Sequence, residues 1–132
     1  MSEPEPNVLT VAVDRDAEGV DLVTLHGELD FASGGPLSSA FADLTGGWRR
    51  VVVDLAGLEF VDSSGVKMLV AAARAVEDAG GTFAVAGPTA TVRRVFDILH
   101  LADVLTVVET RQAALDEIAR SERIEARREG SG

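Results

Sequence analysis

The sequence predicts an α/β domain: a mixed sheet that opens with an antiparallel hairpin, continues with mostly parallel strands, and carries about four helices packed against it. Three observations predict it. Two alternating segments, Val8–Asp14 and Val20–His26, are separated by the polar stretch Asp14-Arg-Asp-Ala-Glu-Gly19, which is a hairpin pattern. The apolar runs starting at Val51, Thr82 and Val104 are each followed by apolar residues at helical spacing, the alternation expected of strands joined by crossover helices. Glycine pairs or Gly-Pro punctuate the boundaries, at Gly46-Gly47, Gly80-Gly81 and Gly87-Pro88.

Residues 1–7, acidic and Pro-rich, read as a disordered lead-in and are the opposite of a secretory signal. In Val8–Asp14, Leu9, Val11 and Val13 alternate with Thr10, Ala12 and Asp14. After the second strand, Gly27-Glu28-Leu29-Asp30 is expected to leave the sheet. Leu37, Ala40, Phe41 and Leu44 then describe a short amphipathic helix, with Pro36 in its first turn. Val51, Val52 and Val53 form an unbroken apolar run, the mark of a strand covered on both faces. Asp54 is expected to close that run, and Gly57 to lie in a short connection. Val66, Leu69, Val70, Ala73 and Val76 give the second helix, entered through Asp62-Ser63-Ser64-Gly65.

Thr82–Ala86 is a short strand. Thr89 or Thr91 caps a third helix with Val92, Val95, Phe96 and Leu99 on one face. His100–Asp103 is a connector and Val104–Val108 the last strand. Thr110 caps a final helix carrying Ala114, Leu115 and Ile118. From Arg120 the apolar pattern fades into mixed charge, which either extends the helix through Glu/Arg pairs or frays; fraying is the expectation. The domain is therefore expected over residues 8–119, with a charged extension at 120–132 whose last residues form a flexible end.

At 132 residues the chain is one domain long and large enough for a real core. With no Cys, neither a disulfide nor a thiolate metal site is possible, which suits a cytoplasmic protein. No apolar run approaches the length of a membrane span, so no membrane partner is expected. The formal net charge is −10, from 22 acidic and 12 basic residues, which argues against direct nucleic-acid binding. It favours a basic protein partner, or simply solubility.

The stretch Phe60-Val-Asp-Ser-Ser-Gly65 carries the strongest functional signal. Asp and Ser are favoured at a helix entrance, where their oxygens accept from unpaired backbone N–H groups; either Asp62 or Ser63 can be the cap. Ser64 falls in the first turn, near the surface. A buried strand followed by this segment and an apolar helix, with Gly27-Glu-Leu-Asp30 upstream, resembles the STAS domain of anti-sigma factor antagonists. The resemblance covers roughly residues 8–119 and implies the STAS fold, the mixed sheet described above.

The resemblance further implies that Ser64 is phosphorylated by the partner, an anti-sigma factor that is a GHKL-type serine kinase. A PP2C-type phosphatase reverses this, and the unphosphorylated form releases a sigma factor by binding its antagonist. The chain itself needs no cofactor and is expected to be a monomer or weak dimer. The plainer reading of both serines is helix capping, and Ser63 is taken as structural. Asp30 either engages the kinase or caps the following turn. Ser33 is a cap or a contact. Asp62 caps the helix or orients the hydroxyl. Gly65 either admits a partner closely or serves loop geometry. Lys67 departs from the small residue common in relatives, and is either solvated or alters partner choice. Together, Asp30, Ser33, Asp62, Ser63, Gly65 and Lys67 are the expected partner-binding set. The alternative is a STAS module of another system, such as a signalling scaffold or a cytosolic subunit of a lipid transporter.

Enzyme readings find little support. His26 and His100 are distant and have no Cys near them, so no metal site is expected. Neither serine lies in Gly-x-Ser-x-Gly, and no catalytic pair is visible. Asp54, at the end of an apolar run, invites comparison with the phosphoacceptor of a receiver domain. A receiver carries a Lys at the end of its last strand, however, and none lies beyond Lys67.

Overall fold

The computed structural model describes residues 9–16, 18–44 and 49–130, with backbone alone at 43, 44 and 123–130. The lead-in at 1–7, the Gly46-Gly47 stop and the terminal Ser131-Gly132 lie outside the described residues. The elements run β1 (Thr10–Arg15), β2 (Asp21–Leu29), α1 (Gly35–Leu44), β3 (Arg50–Val61), α2 (Ser63–Asp78), β4 (Thr82–Ala86), α3 (Ala90–Ile98), β5 (Thr106–Val108) and α4 (Arg111–Gly130). They build a five-stranded sheet whose spatial order follows the sequence, β1 to β5. β1 and β2 are antiparallel, paired from Thr10↔His26 to Arg15↔Asp21. The remaining neighbours are parallel. The hairpin turn is held by Asp16, whose Oδ1 accepts from the N–H groups of Glu18 and Val20, both at 2.9 Å.

The apolar run in β3 is explained by two cores. Val51 and Val53 pack with α1, α2 and α3, against Leu37, Phe41, Leu69, Val76, Val92 and Phe96. Val52 points the other way, with Ala84, Ala86 and the α4 residues Ala114 and Ile118. A strand covered on both faces has no position for a polar residue, so alternation disappears.

β2 and β3 are longer than expected. Gly27-Glu28-Leu29 stays paired in β2, and β3 runs on through Gly57 to Val61. The extra length is accommodated by two irregularities, between Thr24 and His26 and between Gly27 and Glu28, at each of which β3 uses one more residue than β2. Glycine at 57 is a strand residue for a packing reason: a Cβ there would run into the His26 ring. Asp54 accordingly lies inside β3, not at its end. Its carboxylate accepts from Ala56 N at 2.9 Å and pairs with Arg111 at 2.8 Å.

Two further expectations change. β5 begins at Thr106, because Leu105 N is spent on Leu101 O in the preceding turn. α4 is continuous to Gly130 where fraying was expected. Its second half is tied back to the sheet by Arg50–Glu122 at 3.3 Å, and Arg120–Glu117 at 2.6 Å supports it along its own surface. Thr89, of the two threonines considered, caps α3: its hydroxyl accepts from Val92 N and donates to Leu58 O.

Candidate functional site

β2 and β3 are parallel neighbours whose last paired residues are Leu29 and Val61. Whatever follows each strand therefore emerges at the same edge. This brings Asp30 and Asp62, with the segments that carry them, into one cluster although 32 positions separate them in sequence.

Asp62 joins the two. Its N–H donates to Leu29 O at 3.2 Å. Its Oδ1 accepts from Gly65 N at 2.9 Å and its Oδ2 from Phe31 N at 3.4 Å. With φ −104° and ψ −178° it is the N-cap of α2, which settles the choice between Asp62 and Ser63. A carboxylate suits the position, since the unpaired N–H groups of a first turn favour negative charge.

The chain after β2 closes on itself. Asp30 Oδ1 accepts from Ser33 N at 2.8 Å and lies 2.8 Å from Ser33 Oγ. That hydroxyl accepts from Asp30 N at 3.1 Å and is also 2.8 Å from Glu28 O, so its single proton serves one of two acceptors at a time. The Ser33 hydroxyl, with help from its N–H, holds the Asp30 carboxyl below its ordinary pKa. Ser33 thus closes a turn, and the same bonds orient Asp30.

α2 enters immediately afterwards. Ser63 is exposed, Ser64 half-buried and Lys67 exposed. Among the described residues neither serine hydroxyl has a hydrogen-bond partner. Gly65 is buried against this chain's own β2: a Cβ would stand 2.7 Å from Leu29 O and 2.7 Å from Val61 Cγ2. The close approach that glycine permits here is internal, between the helix entrance and the strand ends.

Phe31 was missed in the sequence. It is 84% exposed and bonded through its N–H to the α2 cap. Phe60, opposite Glu28 near the end of β3, is 39% exposed. The available signal was a Phe set between an acidic segment and a glycine pair, with no apolar side chain three or four positions away to build a helix face with it.

The STAS domain profile matches residues 13–114. The chain belongs to the STAS domain family. Among its relatives is the BtrV protein of Bordetella bronchiseptica, 28% identical over 98 residues that make up 74% of this chain and 84% of that one. Another, from Thermotoga neapolitana, is 29% identical over 75 residues; the matched part is 57% of this chain and 66% of the relative's length. The names of both class them provisionally as anti-sigma factor antagonists. Among solved structures, an anti-sigma factor antagonist from Mycobacterium paratuberculosis superposes with a TM-score of 0.77 at 28% identity, covering 86% of this chain and 97% of that one. The mixed five-stranded sheet is the STAS fold expected from the sequence.

Chemically, this STAS domain offers at the site two carboxylates engaged with N–H groups, the bonded hydroxyl of Ser33, the two hydroxyls of Ser63 and Ser64 that are unpartnered among the described residues, and one ammonium. Among the described residues no group of three or more His, Asp or Glu could hold a metal ion. No described helix is long and apolar enough to cross a membrane.

Proposed function

We propose that this STAS domain is an anti-sigma factor antagonist whose docking surface is switched by phosphorylation of Ser64. Unphosphorylated, it binds an anti-sigma factor and thereby frees a sigma factor. The anti-sigma factor is a GHKL-type serine kinase. With Mg-ATP it transfers the γ-phosphoryl group to Ser64 Oγ; the bond to ADP breaks, and the hydroxyl proton passes to a base on the kinase. A PP2C-type phosphatase hydrolyses the ester and resets the switch. The STAS domain supplies the hydroxyl and the interface, and acts in the cytoplasm as an interaction module.

One observation carries the reading. Ser64 lies in the first turn of α2, half-buried and with no hydrogen-bond partner among the described residues, where β2 and β3 end together. The cap is supplied by Asp62, so capping does not account for either serine. A phosphoryl group there adds roughly −1.5 to −2 charge beside Asp30 and Asp62. The first-turn N–H groups and dipole offset part of that repulsion, so the fold survives while the surface changes. The names of the relatives support the choice of partner.

The test is phosphoryl transfer from labelled Mg-ATP by the cognate kinase to wild type, Ser63→Ala and Ser64→Ala. Label should persist in Ser63→Ala and vanish in Ser64→Ala. Unchanged labelling of Ser64→Ala would overturn the assignment.

A further inference from the structure

Lys67 is the only lysine in the chain. It follows Ser64 by three positions in α2, a spacing that puts two side chains on one helix face with Cβ atoms about 5–6 Å apart. It is exposed, and among the described residues it has no ion-pair or hydrogen-bond partner. The carboxylates nearest the helix entrance are already engaged: Asp62 with the N–H groups of Gly65 and Phe31, Asp30 with Ser33. By contrast Arg15, Arg49, Arg50, Arg93, Arg111 and Arg120 all sit in ion pairs. Arg74 lies on the same helix, but ten positions beyond Ser64, about 15 Å along the axis.

We propose that Lys67 is a positioning residue that serves as the built-in counter-cation of a phosphoryl group on Ser64, an inference that rests on Ser64 being the phosphoacceptor. The carboxylates that the cap and the loop after β2 bring to that position are Asp62 and Asp30. The first turn of α1 contributes no acidic residue. A dianion introduced there meets repulsion from these two carboxylates and attraction from one flexible ammonium. The four-carbon stem of Lys lets the ammonium swing to a neighbour one turn away. The switch then changes two charges. Before phosphorylation Lys67 is free to meet an acidic group on the partner; afterwards it folds back on the phosphate, and the partner meets an anion where a cation stood.

The experiment uses the full chain with phosphoserine genetically encoded at position 64, titrated by 31P NMR. The second phosphate pKa should be about 0.2–0.4 units lower with Lys67 present than in Lys67→Gln or Lys67→Ala. Lys67→Arg should restore the lower value, and about 1 M salt should shrink the difference. Arg74→Gln, which removes a charge of the same sign farther along the helix, should leave the phosphate pKa unchanged. Equal pKa values with and without Lys67 would overturn the proposal, as would an equal rise in Arg74→Gln. Because the phosphoserine is encoded, the titration does not depend on any kinase. Loss of labelling at Ser64 and loss of this pairing are therefore separate results.

Discussion

Ser33 shows how much can rest on one hydroxyl. It accepts from Asp30 N and donates to either Asp30 Oδ1 or Glu28 O, so it shapes the turn that presents Asp30. The carboxyl it holds below its ordinary pKa carries a pH signature of fixed sign. A carboxyl whose folded pKa is depressed adds stability that is fully present above its unfolded pKa, and loses it as pH falls through the lower folded value. Ser33→Ala removes the first cause of the shift. The Asp30 pKa should then rise toward the usual carboxylate value, read from its side-chain carbon resonance in an NMR titration. An unmoved Asp30 would mean that the Ser33 hydroxyl does not hold it. Sequence inspection left Ser33 open between a cap and a contact, because a Ser three residues after an Asp fits either. The short contacts on both sides of its hydroxyl show that it closes the turn.

The elements that meet at the site are joined by one cap. Asp62→Ala removes the acceptor of Gly65 N and leaves Phe31 N without its carboxylate. The expected cost is about 0.5–2 kcal/mol, the range for losing an N-cap, measured by urea unfolding with an unchanged m-value. Asp62→Asn keeps an acceptor and should cost less. Helix α2 was fully legible, because its apolar spacing, its Asp-Ser-Ser-Gly entrance and its glycine stop agree. The far ends of β2 and β3 were not. Glycines at 27 and 57 are ordinary break signals, and only the partner strand shows that both stay in the ladder, across local shifts of register. The fate of α4 was illegible for a similar reason. Its last turns carry no apolar stripe, and the Arg50–Glu122 pair joins residues that only the fold brings together.

At the scale of the molecule, α1, α2 and α3 cover one face of the sheet with α4 on the other, and the strands β2 and β3 deliver both loops of the site to one edge. The exposed Phe31 sits on that edge. If this is the surface that meets the anti-sigma factor, Phe31→Ala should weaken binding by about tenfold, the effect of losing an anchor worth more than 1 kcal/mol. Its stability should change by no more than about 0.5 kcal/mol, since an exposed side chain has little packing to lose. Calorimetric titration with the partner and urea unfolding separate the two. Equal affinity would remove Phe31 from the interface.

By itself the sequence determined the class of fold, the hairpin, the doubly covered central strand and the identity of the motif at the entrance of α2. These are local properties: periodicity, caps and turn residues are written in neighbouring positions. The tertiary structure alone decided that Asp30 and Asp62 share an edge, that Gly65 answers to Leu29 and that Phe31 is exposed. Each depends on which strand ends beside which, a relation set by sheet register and not by any neighbourhood in the chain.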